Sequence, residues 1–161
     1  MPPLEGLRIV QSKIHGYGGI ATRPFKPGEI VVHGDGVLYA PTDDFDDTYA
    51  LIMDGKDGET VLWDLADQTR WLNHACDPNT EVCSKWDHEA NVMRAWWVCL
   101  RDIAVGDEIT YDYGFAAEVA EPCHCGSARC RGVIVDDDPA VQAQLSPHLR
   151  SLLRGSARAA S

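Results

Sequence analysis

Through the first two thirds of the chain, apolar and polar positions alternate in short runs, the period-two signature of half-buried β-strands. "LRIVQS" (7–12), "GGIATRPF" (18–25) and, after the turn "KPGE", "IVVHGDGVLYA" (30–40) read as strands cut by glycine and proline. The acidic stretch 41–59, "PTDDFDDTYALIMDGKDGE", breaks the pattern and is expected as a surface loop or short helix. "TVLWDL" (60–65) resumes it, and "TEVCSKW" (80–86) and "NVMRAWWVCL" (91–100) read as a strand pair joined by "DHEA". The turn "AVGDE" leads into "ITYDYG" (109–114), a strand ending on glycine. Beyond residue 136 Ala, Leu and Arg dominate. Asp136 to Asp138 can cap one C-terminal helix, interrupted or restarted near Pro147 and ended by Gly155, and the last residues, "GSARAAS", are expected to fray.

A length of 161 residues with 45% hydrophobic content fits one domain with small appendages. Fourteen Lys and Arg against 25 Asp and Glu give a net charge of −11, which repels a phosphate backbone and argues against direct nucleic-acid binding. The same charge would steer in a positively charged partner such as a lysine-rich tail. The N-terminus lacks the composition of a signal peptide, and no apolar run nears the roughly 18 residues of a membrane span. The expectation is therefore a soluble, intracellular protein with no membrane partner, whose six cysteines are thiols or metal ligands rather than disulfides. Oligomeric state has no signal here.

Cys123, Cys125 and Cys130 in "PCHCGSARCRG" form a C-x-C-x4-C cluster, with Gly126 permitting the tight turn that brings thiolates together. Three soft ligands this close point to zinc, and structural zinc takes a fourth. Cys76, Cys83, Cys99 and a histidine such as His124 are candidates for that place. Cys83 and Cys99 fall inside strands, where a thiol packs as a small hydrophobe. Cys76 lies in a loop, where a ligand can be positioned.

Four pieces now stand in order: "HGYGGIA" (15–21), "RWLNHACDPN" (70–79), "GDEITYDYG" (106–114) and the cysteine cluster. Singly each is weak, because Gly-x-Gly commonly marks a turn and an Asn-His pair is commonly structural. Together they resemble a SET-domain protein lysine methyltransferase with a post-SET zinc segment, over roughly residues 6–133. The resemblance implies a mostly β fold of several small sheets with a threaded C-terminal segment, a post-SET zinc site and a C-terminal helix. It divides the chain into a SET domain at 6–115, a zinc segment at 121–134 and a helix and tail at 136–161.

The resemblance also carries roles. Gly16, Tyr17 and Gly18 match the segment that holds S-adenosylmethionine, joined by Tyr49, by Arg70, Trp71, Asn73 and His74, and by His124 on the adenine side. Tyr113 matches the tyrosine at the methyl-transfer centre, and Tyr111 the position that helps set how many methyl groups the lysine receives. Cys76 matches the cysteine that completes a four-cysteine zinc site with Cys123, Cys125 and Cys130. Ala75 stands where the family usually has serine, which costs a hydroxyl but neither the Asn-His pair nor the cysteine. The implied function is a protein (histone) lysine N-methyltransferase using S-adenosylmethionine, with structural zinc, acting on a basic tail and adding one or two methyl groups. The alternative is a non-catalytic SET-like module that binds peptide.

Overall fold

The computed structural model describes residues 1–154. Twelve short strands make five small sheets among the described residues. β1 (Leu7–Gln11) and β2 (Tyr17–Ala21) form an antiparallel hairpin. β3 (Ile30–Gly34) joins an antiparallel sheet in the order β3-β9-β8, whose long hairpin is β8 (Thr80–Asp87) and β9 (Val92–Cys99). In sequence between β3 and β8 comes a second sheet ordered β4-β6-β5, from β4 (Gly36–Tyr39), β5 (Ala50–Asp54) and β6 (Thr60–Leu65). Two-residue strands complete the set: β7 (Asn73–His74) with β10 (Thr110–Tyr111), and β11 (Glu121–Pro122) with β12 (Val133–Ile134).

Alternation along β9 buries Met93, Ala95, Trp97 and Cys99, and Trp97 sits at the centre of the main core with no exposure. The hairpin turn before it is closed by the Asp87 carboxylate, which accepts from the amides of Glu89 and Ala90, and by Asn91 at φ 55°, a left-handed conformation that asparagine tolerates. The core gathers Leu7, Phe25, Val31, Trp63, Leu65, Leu72, Ile103, Ile109 and Tyr111 around Trp97. A second, smaller core lies near the C-terminus, where Val133, Val135 and Leu145 pack with Ala117, Ala120, Val141 and Leu149.

Three elements differ from the sequence reading, one for a local reason and two because of their pairing partners. The 30–40 run is two strands in different sheets, because Asp35 breaks it: its carboxylate accepts from the Gly36 amide, and its own amide donates to Asp67. The acidic stretch contains β5, whose residues find β6 as an antiparallel partner, a long-range pairing that local polarity hides. "ITYDYG" pairs only at Thr110 and Tyr111, since its partner β7 is two residues long. The C-terminal helix is in two pieces, α1 (Pro139–Gln142) and α2 (Pro147–Leu152), capped by Asp138 and Ser146. Gly155 and the "GSARAAS" end lie outside the described residues. No helix among the described residues is long and apolar enough to cross a membrane.

Candidate active site and metal centre

The site grows from the parallel pairing of β7 and β10, with Thr110 opposite Asn73 and Tyr111 opposite His74. Asn79 fastens the pair from the side. Its side chain donates to the Glu108 carbonyl (2.8 Å) and accepts from the Thr110 amide (2.9 Å), while the Thr80 hydroxyl donates to the Thr110 carbonyl (2.8 Å). Residues 108–113 are thereby held against 72–80, although the two stretches are about thirty positions apart in sequence.

Asn73 also fixes the glycine loop. Its side-chain amide donates to the carbonyls of His15 (3.1 Å) and Tyr17 (2.8 Å) and to Glu108 Oε1 (2.9 Å). The Ser12 hydroxyl donates to the same carboxylate (2.8 Å) and accepts from the Ile14 amide (2.8 Å). The two loop glycines serve different ends. Gly16 adopts φ +47° with open space where a side chain would stand, whereas a methyl on Gly18 would overlap the Glu108 carboxylate. Tyr17 between them is 62% exposed.

His74 links this loop-bearing pair to the cysteines. The Tyr113 amide donates to His74 Nδ1 (3.1 Å), so Nδ1 carries a lone pair and the ring proton sits on Nε2, which lies 3.3 Å from Cys76 Sγ and donates to it. Asp112 Oδ1, 3.5 Å from Nδ1, finds no proton there. Asp112 instead takes a bidentate fork from Arg131, Nη1 to Oδ2 at 2.7 Å and Nη2 to Oδ1 at 2.8 Å. The Arg131 side chain is 2% exposed and that of Asp112 32%. We expect Arg131→Met to lower stability in urea denaturation by about 2 kcal/mol, less than for a fully buried pair because Asp112 keeps contact with water. Arg131→Lys, lacking the fork, should recover little of it.

The sulfur atoms of Cys76, Cys123, Cys125 and Cys130 lie within 4.8 Å of one another, and Cys76 and Cys123 are 3.7 Å apart. A tetrahedron with zinc–sulfur bonds of about 2.3 Å has edges of about 3.8 Å, so these four residues fit zinc. Amides point at the ligand atoms, Arg131 N at Cys76 Sγ (3.3 Å) and Gly132 N at Cys130 Sγ (3.4 Å), as thiolates require. The Cys123 thiol, the His74 ring and the Arg131 amide together hold the Cys76 thiol down at about 3 against the opposing effect of burial. Cys83 and Cys99 stand apart on β8 and β9, and burial pushes both thiols up.

An aromatic lining completes the arrangement. Tyr111 and Tyr113 rings are 4.9 Å apart, Tyr113 and Phe115 5.3 Å, and Tyr111 meets Trp97 edge-on at 5.6 Å. The Tyr113 hydroxyl donates to the Leu72 carbonyl (2.8 Å), leaving its oxygen free to accept, while the Tyr111 hydroxyl has no partner among the described residues. Burial pushes both phenols above their ordinary range, so they stay protonated. Arg70 stacks on the Tyr49 ring at 4.2 Å, and its Nε is buried without a partner.

Of the residues expected to hold the cofactor, direct hydrogen bonds join the 15–18 loop, Asn73, His74 and the Tyr113 backbone, and the cation stack joins Arg70 to Tyr49. Trp71 ends a 3-10 turn half-buried, and His124 is exposed between two ligands with no hydrogen bond or ion pair among the described residues. Sequence reasoning missed Ser12, Asn79, Glu108 and the Asp112–Arg131 pair. Glu108 follows the turn at 105–106 and bridges Ile20, and in one dimension its carboxylate reads as solvated; its bonds to Ser12 and Asn73 and its close approach to Gly18 come from residues 35 to 96 positions away.

The SET domain family model matches residues 16–114, more than half of the chain and the stretch that carries the loop, β7 and β10. The chain belongs to the SET domain family. Among curated relatives it is 33% identical over 141 residues to the human histone-lysine N-methyltransferase 2B, covering 79% of this chain and 5% of that protein. It is likewise 33% identical over 160 residues to the Arabidopsis thaliana histone-lysine N-methyltransferase ATX2, covering 88% and 14%. The chain thus spans only a small fraction of the length of these relatives. A crystal structure of KRYPTONITE in complex with mCHH DNA, H3(1–15) peptide and SAH superposes with a TM-score of 0.65 at 23% identity, covering 80% of this chain and 29% of that one, a likeness of fold.

Proposed function

We propose that this chain is an S-adenosylmethionine-dependent protein-lysine N-methyltransferase, acting on a lysine-rich tail such as that of a histone and adding one or two methyl groups. The observation that carries the reading is the aromatic lining of Tyr111, Tyr113 and Phe115, which stands beside a glycine loop tied down by Asn73 and Glu108. Curated relatives bear the name histone-lysine N-methyltransferase, which supports the same reaction. The SET unit at 6–115, the zinc segment at 121–134 and the C-terminal helices from 136 are then its working parts.

The residues present fit the methyl donor. Gly16 leaves open space beside an exposed Tyr17, and Arg70 Nε is a buried donor without a protein acceptor. Gly16, Tyr17 and Gly18, with Tyr49, Arg70, Trp71, Asn73, His74 and His124, would hold it, and S-adenosylmethionine supplies an electrophilic methyl on a sulfonium.

This chain's own residues position and desolvate. The incoming lysine must be neutral to act as a nucleophile, and an aromatic lining lowers its pKa by withholding water from the ammonium form, so its proton leaves to solvent. Neither buried tyrosine serves as the base, because both phenols are held protonated. Tyr113, fixed by its bond to Leu72, walls the channel and offers its oxygen as an acceptor. End-on alignment in such a channel contributes up to about 7 to 11 kcal/mol in well-oriented systems. The zinc would be structural, fastening 123–131 to the body through Cys76.

The free Tyr111 hydroxyl can hold the amine or a water and so limits the space for further methyls. Mass spectrometry of a histone incubated with S-adenosylmethionine and this protein should show mono- and dimethyl-lysine, and Tyr111→Phe should shift the products towards trimethyl-lysine. A main product of trimethyl-lysine from the unaltered protein contradicts the limit of two, and no modified lysine at all contradicts the reading.

A further inference from the structure

Residues 35–67 carry ten Asp and Glu against a single basic residue, Lys56, so −9 of the net charge of −11 is concentrated in the stretch that forms β4, β5 and β6. That sheet has two unlike faces. Met53, Trp63 and Leu65 point into the core. By strand alternation the other face presents Val37, Leu62 and Ile52, and the register sets Tyr39, Leu62 and Ile52 in one row. Ile52 is 66% exposed and Val37 48%. Carboxylates flank that row on the same face. Asp64 lies in the row beside Val37 and Ala50, and Asp54 lies in the row on the other side, opposite Thr60. Asp64 Oδ1 is shielded from water without a hydrogen bond, and Asp54 has no partner among the described residues.

An apolar row between two unpaired carboxylates suits lysine and arginine, whose methylene stems lie on apolar surface while the cationic head reaches an acid. We propose that this outer face docks a lysine- and arginine-rich segment of the protein substrate, away from the lysine that is methylated. The inference rests on the methyltransferase reading for the identity of the partner. The face begins next to the site, because Tyr49, the residue before β5, stacks with Arg70 and packs on the same core as Tyr113. Docking there raises the local concentration of the tail at the channel, and the acidic field speeds its arrival at low salt.

The test separates docking from catalysis by using a probe that cannot be methylated, a fluorescent peptide of arginine and leucine without lysine. In anisotropy titrations the unaltered protein should bind it, more weakly as salt rises. Ile52→Ser/Asp54→Asn/Asp64→Asn should weaken binding by about tenfold or more, a factor that corresponds to about 1.4 kcal/mol. Asp54→Asn alone, on an exposed side chain, should move it in the same direction. A control with the same charge change elsewhere, Glu5→Gln/Glu89→Gln, should bind as the unaltered protein does. In methyl transfer to a histone, the triple variant should raise KM and leave kcat unchanged. Equal binding by the triple variant, equal weakening by the control, or no binding by the unaltered protein overturns the docking surface. If peptide binding behaves as expected while no histone is methylated, the face stands as a basic-peptide site and the methyltransferase reading, with the substrate as partner, falls.

Discussion

Tyr113→Phe is expected to slow methyl transfer by about a hundredfold, the loss typical of a small misplacement at a reacting centre. The substitution keeps the ring and its packing on Tyr111 and Phe115 but removes the hydroxyl that donates to the Leu72 carbonyl. Losing that bond costs about 1 kcal/mol of stability, too little to unfold the chain, so the effect is catalytic. If the hydroxyl acts on alignment, as proposed, kcat should fall while KM for the tail stays near its original value. A rise in KM alone, with kcat unchanged, would instead make Tyr113 a docking residue.

Cys76→Ser should reduce bound zinc from about one per chain to near zero, since structural sites with four ligands fail when a thiolate is lost. Of the four cysteines grouped among the described residues, Cys76 alone comes from the strand-rich body, the other three lying within 123–130. Losing the metal therefore loosens a join. The C-terminal core of Val133, Val135 and Leu145 is small, and a structural zinc site contributes on the order of 10 kcal/mol in small domains. Turnover should fall with the metal, while circular dichroism keeps the β-rich signal of the main core around Trp97. Chelation of the unaltered protein should give the same pair of results. Full zinc occupancy in the serine variant, measured by elemental analysis, would remove Cys76 from the site.

Most of the fold's strands and the grouping of Cys123, Cys125 and Cys130 are legible in the sequence because they rest on local signals, whereas the approach of Cys76, 47 positions earlier, is not. The alternation in "NVMRAWWVCL" reports β9 directly, and the cysteine spacing with Gly126 reports the cluster. What escaped depends on distant partners. β5 exists because β6 pairs with it, not because "ALIMD" is distinctive, and β10 is short because β7 is short. Glu108, Asn79 and the Asp112–Arg131 fork are ordinary polar residues in one dimension. Their roles appear only where 12–18, 72–80, 108–113 and the zinc segment meet. Asn73 illustrates both sides. The family resemblance implies cofactor contact for it, and its side-chain amide holds the glycine loop.

That convergence underlies the proposal that a lysine is methylated beside Tyr111 and Tyr113. The direct measurement is transfer of labelled methyl from S-adenosylmethionine to core histones by the purified protein, run beside Tyr113→Phe. Label on histone lysines is expected for the unaltered protein, and about a hundredfold less for the variant. Label no greater than that of the variant, from a protein with zinc bound and its β-rich signal intact, would contradict the proposal.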